Sequence, residues 1–164
     1  MVLSKQSLIN LLARVFPETK PKKVSPASYD LTIGNHFKIY TPSDEMGVDN
    51  PDEIFSDEIV VPAMTFVLAH TQEYIHVPPD KAGLMLLRSS MGRSGWLHAF
   101  AGWVDPGFEG QLVFELFTPM RNRLVAGTRV AQLILFETDG VAQYDGKYQG
   151  QRGAVGAYQG AVHG

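Results

Sequence analysis

The chain contains no cysteine. This absence excludes disulfide bonds and every metal site that uses thiolate ligands. It also removes the zinc-dependent base deaminases from consideration, because their signature combines His-x-Glu with Cys-x-x-Cys. A chain without cysteine suits a reducing compartment, and we therefore predict a cytoplasmic protein.

Long apolar runs and an excess of basic residues are also missing. No window approaches the roughly 20 apolar residues that a membrane-spanning helix needs. The first residues, MVLSK, lack the features of a secretory signal. The net charge of −3 argues against a protein that coats nucleic acid. We predict neither a membrane nor a nucleic-acid partner, whereas a small anionic substrate needs only a few local Arg and Lys side chains.

The 164 residues fit one domain, predicted over 1–164 with no internal repeat. A short N-terminal helix is predicted within 1–16, capped by Ser4 and ended by Pro17. Its apolar face follows the i, i+3, i+4, i+7 pattern and consists of Leu8, Leu11, Leu12 and Val15. Residues 18–26 are predicted to be an exposed connector.

Short runs of β-type residues follow, separated by Gly and Pro at short intervals. This pattern predicts a mostly β fold, a sandwich or a distorted barrel, and not βαβ units. Gly34-Asn35 predicts a hairpin-type turn, and the polar segment 41–57 predicts a loop. The predicted strands are 29–33, 37–40, 59–61, 65–69, 73–77, 84–88, 97–100, 112–117, 123–125 and 130–137.

The tail, 139–164, is rich in Gly, Gln and Tyr and almost free of branched aliphatic residues. Such a segment cannot supply a core of its own, so it either stays mobile or folds over another surface. The second alternative predicts a lid with glycine hinges, in which cationic and aromatic side chains cover a ligand. The candidate lid residues are Tyr144, Lys147, Tyr148, Gln151 and Arg152.

Glu115 is an acidic residue inside an apolar run, LVFELF at 112–117. In a strand it shares one face with Val113 and Phe117, and both faces of the strand are apolar. Burial raises the pKa of a carboxyl group, which is how proton-shuttling catalysts are made. The alternative is a glutamate at a strand edge or paired with an arginine.

Two further segments carry polar chemistry. RSSMGRSG at 88–95 places arginines, hydroxyls and glycines where they can surround phosphate oxygens, although it lacks the P-loop spacing. AGWVDPGFEG at 101–110 places Asp105 beside an aromatic residue and glycines, which suits a sugar hydroxyl. The alternatives are a polar surface turn and an aspartate that caps local backbone amides. The five histidines form no HxxxH pair, and no protein metal site is predicted.

Taken together, these segments resemble one family, the dCTP deaminases of the dCTP deaminase/dUTPase superfamily. RSSMGRSG resembles the family's RSSLxRxG motif, and HAFAGWVDPGFEG at 98–110 resembles H-x-x-A-x-x-[IV]-D-[PA]-G-[WF]-x-G. Glu115 falls on the glutamate of the family's [VL]-x-[FL]-E-[FL] strand. GKYQGQRG at 146–153 resembles the KYQGQxG tail, and PASYDLTIG at 26–34 resembles an early family segment. The likeness spans nearly the whole chain in the same order.

The resemblance implies a dUTPase-like distorted β-barrel of the β-clip type with a short N-terminal helix. It implies a homotrimer in which neighbouring subunits share each active site. The substrate would be dCTP or dUTP, with Mg²⁺ bound through the triphosphate and no zinc. dTTP is a candidate feedback inhibitor.

The resemblance also assigns roles to residues. Glu115 would take a proton from a water placed at C4 of cytosine, and Asp105 would bind the 3′-hydroxyl of the deoxyribose. The residues that hold phosphates and line the reaction centre would be Arg88, Ser89, Ser90 and Arg93, where Ser89, Arg93 and the Ala101 carbonyl orient the water. The base would meet the backbone at Val113 and Phe114, and the lid residues would be Tyr144, Lys147, Tyr148 and Gln151.

Three activities remain open at this point: dCTP deamination to dUTP, a bifunctional reaction that continues to dUMP, and dUTP cleavage alone. Glu115 favours deamination, whereas AGWVD and the tail motif favour the bifunctional reaction. ASYDL at 27–31 and TRVAQLI at 128–134 resemble dUTPase motifs, and Phe100 replaces a small polar residue of many deaminases. A non-catalytic nucleotide-binding regulator is a further alternative, against which the intact set of polar residues argues.

Overall fold

The computed structural model describes residues 1–42, 51–99 and 101–157. It contains two helices, α1 (Lys5–Val15) and α2 (Ser89–Arg93). The strands are β1 (Lys23–Val24), β2 (Tyr29–Thr32), β3 (His36–Tyr40), β4 (Asp52–Phe55), β5 (Glu58–Val61), β6 (Thr65–His70), β7 (Ile75–His76), β8 (Lys81–Leu87), β9 (Leu97–His98), β10 (Trp103–Val104), β11 (Glu109–Gly110), β12 (Val113–Thr118), β13 (Asn122–Val125) and β14 (Arg129–Glu137). None of the helices in these ranges is long and apolar enough to cross a lipid bilayer.

Two five-stranded antiparallel sheets organise the fold. The first has the order β1-β2-β14-β8-β10, and the second has the order β4-β3-β6-β12-β9. The pairs β7–β11 and β5–β13 form two smaller sheets. Strand β12 lies between β6 and β9, with Glu115 opposite Leu68 on β6. The prediction that Glu115 occupies an interior strand is therefore confirmed.

The core contains the apolar faces of both large sheets and of α1. Its largest fully buried side chains include Trp96, Tyr29, Phe16 and Phe37. The Phe16 and Tyr29 rings pack edge to face with their centroids 4.8 Å apart. Burying each such side chain contributes roughly 1.5–3 kcal/mol. This core fixes the strands that carry the candidate site.

The N-terminal helix is confirmed, and the apolar face predicted from its sequence packs against the core. Leu8 and Val15 are fully buried, whereas Leu11 and Leu12 pack partly buried against the core. Ser4 stands at the N-cap position, but its side chain makes no capping hydrogen bond. The predicted capping role of the Ser4 hydroxyl is wrong, because that hydroxyl lies 3.5 Å from the Ser7 hydroxyl instead.

The hairpin predicted at Gly34-Asn35 is also wrong. The flanking strands β2 and β3 belong to different sheets, so this turn carries the chain from one sheet to the other. The Gly34 amide donates to the carbonyl of His70, and a Cβ at Gly34 would overlap the His70 imidazole. Close approach to His70 therefore explains the glycine.

Several short elements escaped the sequence prediction. Strand β4 lies inside the segment predicted as a loop, of which residues 43–50 lie outside the described ranges. Strand β1 lies in the predicted connector, and α2 lies in the segment for which a surface turn was an alternative. Strands β10 and β11 are two residues long, which is too short for alternation to be visible.

The distorted barrel is not seen in closed form. Within the described ranges, the two large sheets end at edge strands, β1 and β10 in one and β4 and β9 in the other. The fold is therefore mostly β with two helices, in agreement with the predicted class, but its sheets stay open.

Candidate active site

A pocket of about 400 Å³ lies where β6, β10, β12 and the tail meet. It brings together seven of the residues predicted from the sequence to form the site. These are Ala101, Asp105, Val113, Glu115, Tyr144, Tyr148 and Gln151. The pocket has further lining side chains that were not predicted from the sequence, among them Phe66, Leu68, Met85, Trp103 and Phe108.

Glu115 places a carboxylate on the wall of the pocket. Its side chain shares the partly buried face of β12 with Val113 and Phe117, while Phe114 and Leu116 are fully buried on the other face. The Oε2 atom is buried and has no hydrogen-bond partner among the described residues. Burial raises the pKa of Glu115 above the ordinary value of a glutamate. No arginine pairs with Glu115 among the described residues, so the alternative of a structural, arginine-paired glutamate is not supported there.

This burial predicts that Glu115→Gln stabilises the protein at neutral pH. A carboxyl group whose pKa is raised on folding binds more protons in the folded chain, so its ionisation destabilises the fold as the pH rises. The thermal midpoint at pH 7.5 should therefore rise, by about 2–4 °C for each kcal/mol relieved. The gain should shrink towards about pH 4, where glutamate is largely protonated in both states.

The matched control is Glu137→Gln, which removes the same charge from an exposed side chain. It should leave the midpoint unchanged at both pH values. Equal midpoints for Glu115→Gln and the unmodified protein at pH 7.5, measured by differential scanning calorimetry, would contradict a desolvated Glu115.

Asp105 follows β10 and begins a tight turn. The Phe108 amide donates to the backbone carbonyl of Asp105 at 3.2 Å, and Gly107 adopts a φ of 76° that favours glycine. The Asp105 carboxylate accepts a hydrogen bond of 3.0 Å from the indole nitrogen of Trp103. Among the described residues, no backbone amide is capped by this carboxylate. Asp105 is exposed and lines the pocket, where it can accept a substrate hydroxyl.

Backbone atoms form another side of the pocket. The Gly102 carbonyl accepts the Met85 amide at 2.7 Å, and a Cβ at Gly102 would overlap the Met85 carbonyl. This contact holds the neighbouring Ala101 on the wall of the pocket. Val113 also lines the pocket, whereas the Phe114 side chain is fully buried in the core. Only the backbone of Phe114 can therefore approach a ligand on the Val113 side.

The tail folds over the pocket up to residue 157. Tyr144 donates its amide to the Pro106 carbonyl at 2.8 Å, and its hydroxyl accepts the Tyr148 amide at 3.3 Å. Gln151 exchanges hydrogen bonds with the Gln111 backbone and bridges to Gly110. These contacts favour the lid alternative over a mobile tail for 144–157, whereas 158–164 lie outside the described ranges. Lys147 is exposed and does not line the pocket.

Ala154 anchors the end of the described tail. Its side chain is fully buried, and it belongs to a small apolar cluster with Tyr40 and Leu68. Its amide donates to Nδ1 of His36 at 3.0 Å, while the His36 Nε2 faces Glu53 at 2.7 Å. This anchor fixes the segment that contains Gln151.

Ala154→Glu is expected to release the tail, because a carboxylate cannot enter this apolar cluster without a partner. The KM for the substrate should rise by about tenfold or more as tail contacts with the bound molecule are lost. The control is Val141→Glu, which adds the same charge at an exposed tail position. An unchanged KM for Ala154→Glu in steady-state assays would show that the anchor does not matter for binding.

The predicted phosphate-binding segment lies apart from this pocket. Ser89, Ser90 and Arg93 are exposed on α2, and none of them lines the pocket. Arg88 is half-buried, with its Nε 3.6 Å from the Asp30 carboxylate. Along β8, Arg88 is four residues from Leu84, which pairs with the pocket residue Trp103, so Arg88 lies roughly 13 Å along the strand from that pairing. One chain therefore presents the two halves of the predicted site separately.

No group of three His, Asp or Glu side chains that could hold a metal ion occurs in the described part of the chain. Phe100, which was noted as a departure from many deaminases, lies outside that part.

Trp103 and Phe108 are the clearest omissions of the sequence prediction. Trp103 could have been found from its i, i+2 spacing to Asp105, which places both side chains on one strand face.

Residues 2–138 match the dCTP deaminase-like family. A relative from Persephonella marina, named dCTP deaminase, dUMP-forming, is 35% identical over 94% of this chain and 89% of its own. A relative from Pyrobaculum calidifontis, named dCTP deaminase, is 37% identical over 94% of this chain and 95% of its own.

The crystal structure of 2′-deoxycytidine 5′-triphosphate deaminase from Agrobacterium tumefaciens has a similar fold. The TM-score is 0.68 at 18% identity, over 82% of this chain and 47% of that chain. This chain therefore spans about half the length of that structure, and the likeness concerns the fold. From the sequence match and the relatives, the chain belongs to the dCTP deaminase-like family.

Proposed function

We propose that the protein hydrolyses dCTP to dUTP and ammonia, and that it also cleaves the triphosphate to give dUMP and pyrophosphate. The observation that carries the first activity is Glu115, whose buried Oε2 has no partner among the described residues and whose side chain lines the pocket. A carboxylate in this environment favours the protonated form and is suited to taking up and returning a proton. Membership of the dCTP deaminase-like family supports the same activity.

In the deamination, Glu115 takes a proton from a water molecule while the oxygen of that water attacks C4 of cytosine. The proton is delivered to the ring nitrogen N3, and a second proton transfer from the added hydroxyl allows the exocyclic amine to leave as ammonia. The C4–O bond replaces the C4–N bond, and one water is consumed for each ammonia released. General acid–base help of this kind contributes about 10²–10⁴-fold, and fixed dipoles such as the Ala101 carbonyl would orient the water.

Substrate binding would use the remaining walls of the pocket. The backbone at Val113 and Phe114 would read the edge of the base, and Asp105 would accept the sugar 3′-hydroxyl. Tyr144, Tyr148 and Gln151 would cover the nucleotide, with Lys147 meeting the triphosphate. The substrate is the Mg²⁺–triphosphate complex, and dTTP, which shares its sugar and phosphates, remains the candidate feedback inhibitor. An ion carried by phosphates requires no protein cage.

A homotrimer of dUTPase-like domains would complete the site. Ser89, Ser90 and Arg93 are exposed and do not line the pocket of their own chain. A neighbouring subunit that supplied its α2 would add a hydroxyl, a guanidinium and the end of β8 to this pocket. Arg93 and Ser89 would then help to orient the water, and Arg88 and Ser90 would lie next to the phosphates.

A dUTPase-only activity is the second candidate, since residues 27–31 and 128–134 resemble dUTPase motifs. These two segments meet at Asp30, which is 1% exposed and accepts hydrogen bonds from Ser25 at 3.1 Å and Arg129 at 2.8 Å. Neither segment lines the pocket. A scaffolding ion pair thus accounts for both motifs, and they do not discriminate between the activities.

The relatives leave the second reaction step open, because one is named dUMP-forming and the other is not, at similar identity. Incubation with dCTP and Mg²⁺, followed by chromatographic separation of dCTP, dUTP and dUMP, distinguishes the activities. We expect dCTP to disappear and dUMP to accumulate. Accumulated dUTP would restrict the protein to deamination, whereas intact dCTP with consumption of added dUTP would overturn the deaminase. No turnover of either nucleotide would favour a regulator.

A further inference from the structure

Trp103 is a large aromatic side chain that is 59% exposed beside the pocket. It stands two residues before Asp105, and alternate residues of an extended segment share a face. The indole Nε1 donates a hydrogen bond of 3.0 Å to Oδ1 of Asp105. Both residues line the pocket. Through this hydrogen bond the indole contacts Asp105, the proposed sugar-binding group.

The indole is itself held from two sides. The Trp103 backbone pairs with Leu84 of β8, an interior strand of the first sheet. The ring stacks on Phe136 of β14, with centroids 6.5 Å apart and planes 28° from parallel. The donor position is therefore fixed by two strands that do not belong to the Asp105 turn.

An indole N–H can only donate a hydrogen bond, and it neither accepts one nor titrates. It therefore donates to one carboxylate oxygen of Asp105 whatever the pH. Trp103 is the only side chain among the described residues that hydrogen-bonds to this carboxylate. The second oxygen, Oδ2, is left for a ligand, and rotation of the carboxylate is restrained.

We infer that Trp103 is a positioning residue that aims the free oxygen of Asp105 at the 3′-hydroxyl of the nucleotide. Trp103 thereby sets the selectivity of the enzyme for nucleotides that carry this hydroxyl. The inference rests on the proposed function, in which Asp105 binds the sugar. Trp103 takes no part in the proton transfers of the reaction.

The test compares dCTP with 2′,3′-dideoxy-CTP, which lacks the hydroxyl. The unmodified protein should have a clearly higher kcat/KM for dCTP. In Trp103→Phe, which keeps an aromatic ring but removes the donor, kcat/KM for dCTP should fall by about tenfold or more. The value for the dideoxy nucleotide should stay the same, so the preference between the two nucleotides should shrink.

The matched control is Phe136→Leu, which removes the stacking partner and leaves the donor. Because the pairing of the Trp103 backbone with Leu84 still holds the donor, the preference for dCTP should fall less than in Trp103→Phe. Trp103→Phe with an unchanged preference, or with an equal loss for both nucleotides, would overturn the positioning role and leave the proposed function in place. An unmodified protein that turned over both nucleotides equally well would overturn the sugar-binding role of Asp105 and this inference with it.

Discussion

Glu115→Gln is expected to lower kcat for dCTP deamination by at least about 10²–10⁴-fold, the contribution of a positioned acid–base group. Glutamine has nearly the same shape but cannot take a proton from water. The dissociation constant for dCTP, measured by isothermal titration calorimetry, should change little, because the amide still fits the pocket that holds Glu115. Rapid quench of single turnovers would measure the chemical step itself.

The same variant separates a catalyst from a nucleotide-binding regulator. Lost turnover with retained binding is the signature of a catalytic acid. Glu109→Gln is the control, since Glu109 is a surface carboxylate 3.4 Å from His76 and does not line the pocket. It should retain its turnover. Deamination by Glu115→Gln at the unmodified rate would remove Glu115 from the mechanism.

Mixing two inactive variants is expected to restore activity. Glu115→Gln lacks the proposed base, and Arg93→Ala lacks a guanidinium that we propose to act in the neighbouring subunit's pocket. If each site of a cyclic trimer takes Glu115 from one subunit and Arg93 from the next, randomly mixed trimers contain intact sites. About one quarter of all sites should be intact in an equal mixture.

The experiment requires the variants to be co-expressed or unfolded and refolded together, followed by a deamination assay. Each variant treated alone in the same way is the control and should stay inactive. A mixture that stayed as inactive as its components would place Arg93 and Glu115 in one subunit, whereas turnover by Arg93→Ala alone would remove Arg93 from the site.

The sequence predicted the part of the site that depends on local periodicity. Glu115 was located because period-two alternation in β12 places it between apolar residues. The Asp-Pro-Gly signature located the turn at Asp105, whereas its role in the site was predicted from the resemblance to the dCTP deaminases. Both residues line the pocket, and their roles stay predictions until turnover is measured.

The remainder depends on contacts between distant parts of the chain. The sequence could not decide whether the tail forms a lid or is disordered, because its anchor joins Ala154 to His36, 118 residues away along the chain. The hairpin prediction failed because Gly34 serves a contact with His70 and not a tight turn between paired strands. The position of α2 relative to the pocket could not be predicted, because it depends on how distant segments of the chain pack, which no local pattern encodes.

The most direct test of the catalytic role of Glu115 is a crystal structure of Glu115→Gln with dCTP and Mg²⁺. We predict that the residue-115 side chain lies within hydrogen-bond reach of a water or amine at C4 of the base, with Asp105 at the 3′-hydroxyl. A cytosine ring bound elsewhere, or a residue-115 side chain turned into bulk solvent, would contradict the proposed deaminase mechanism.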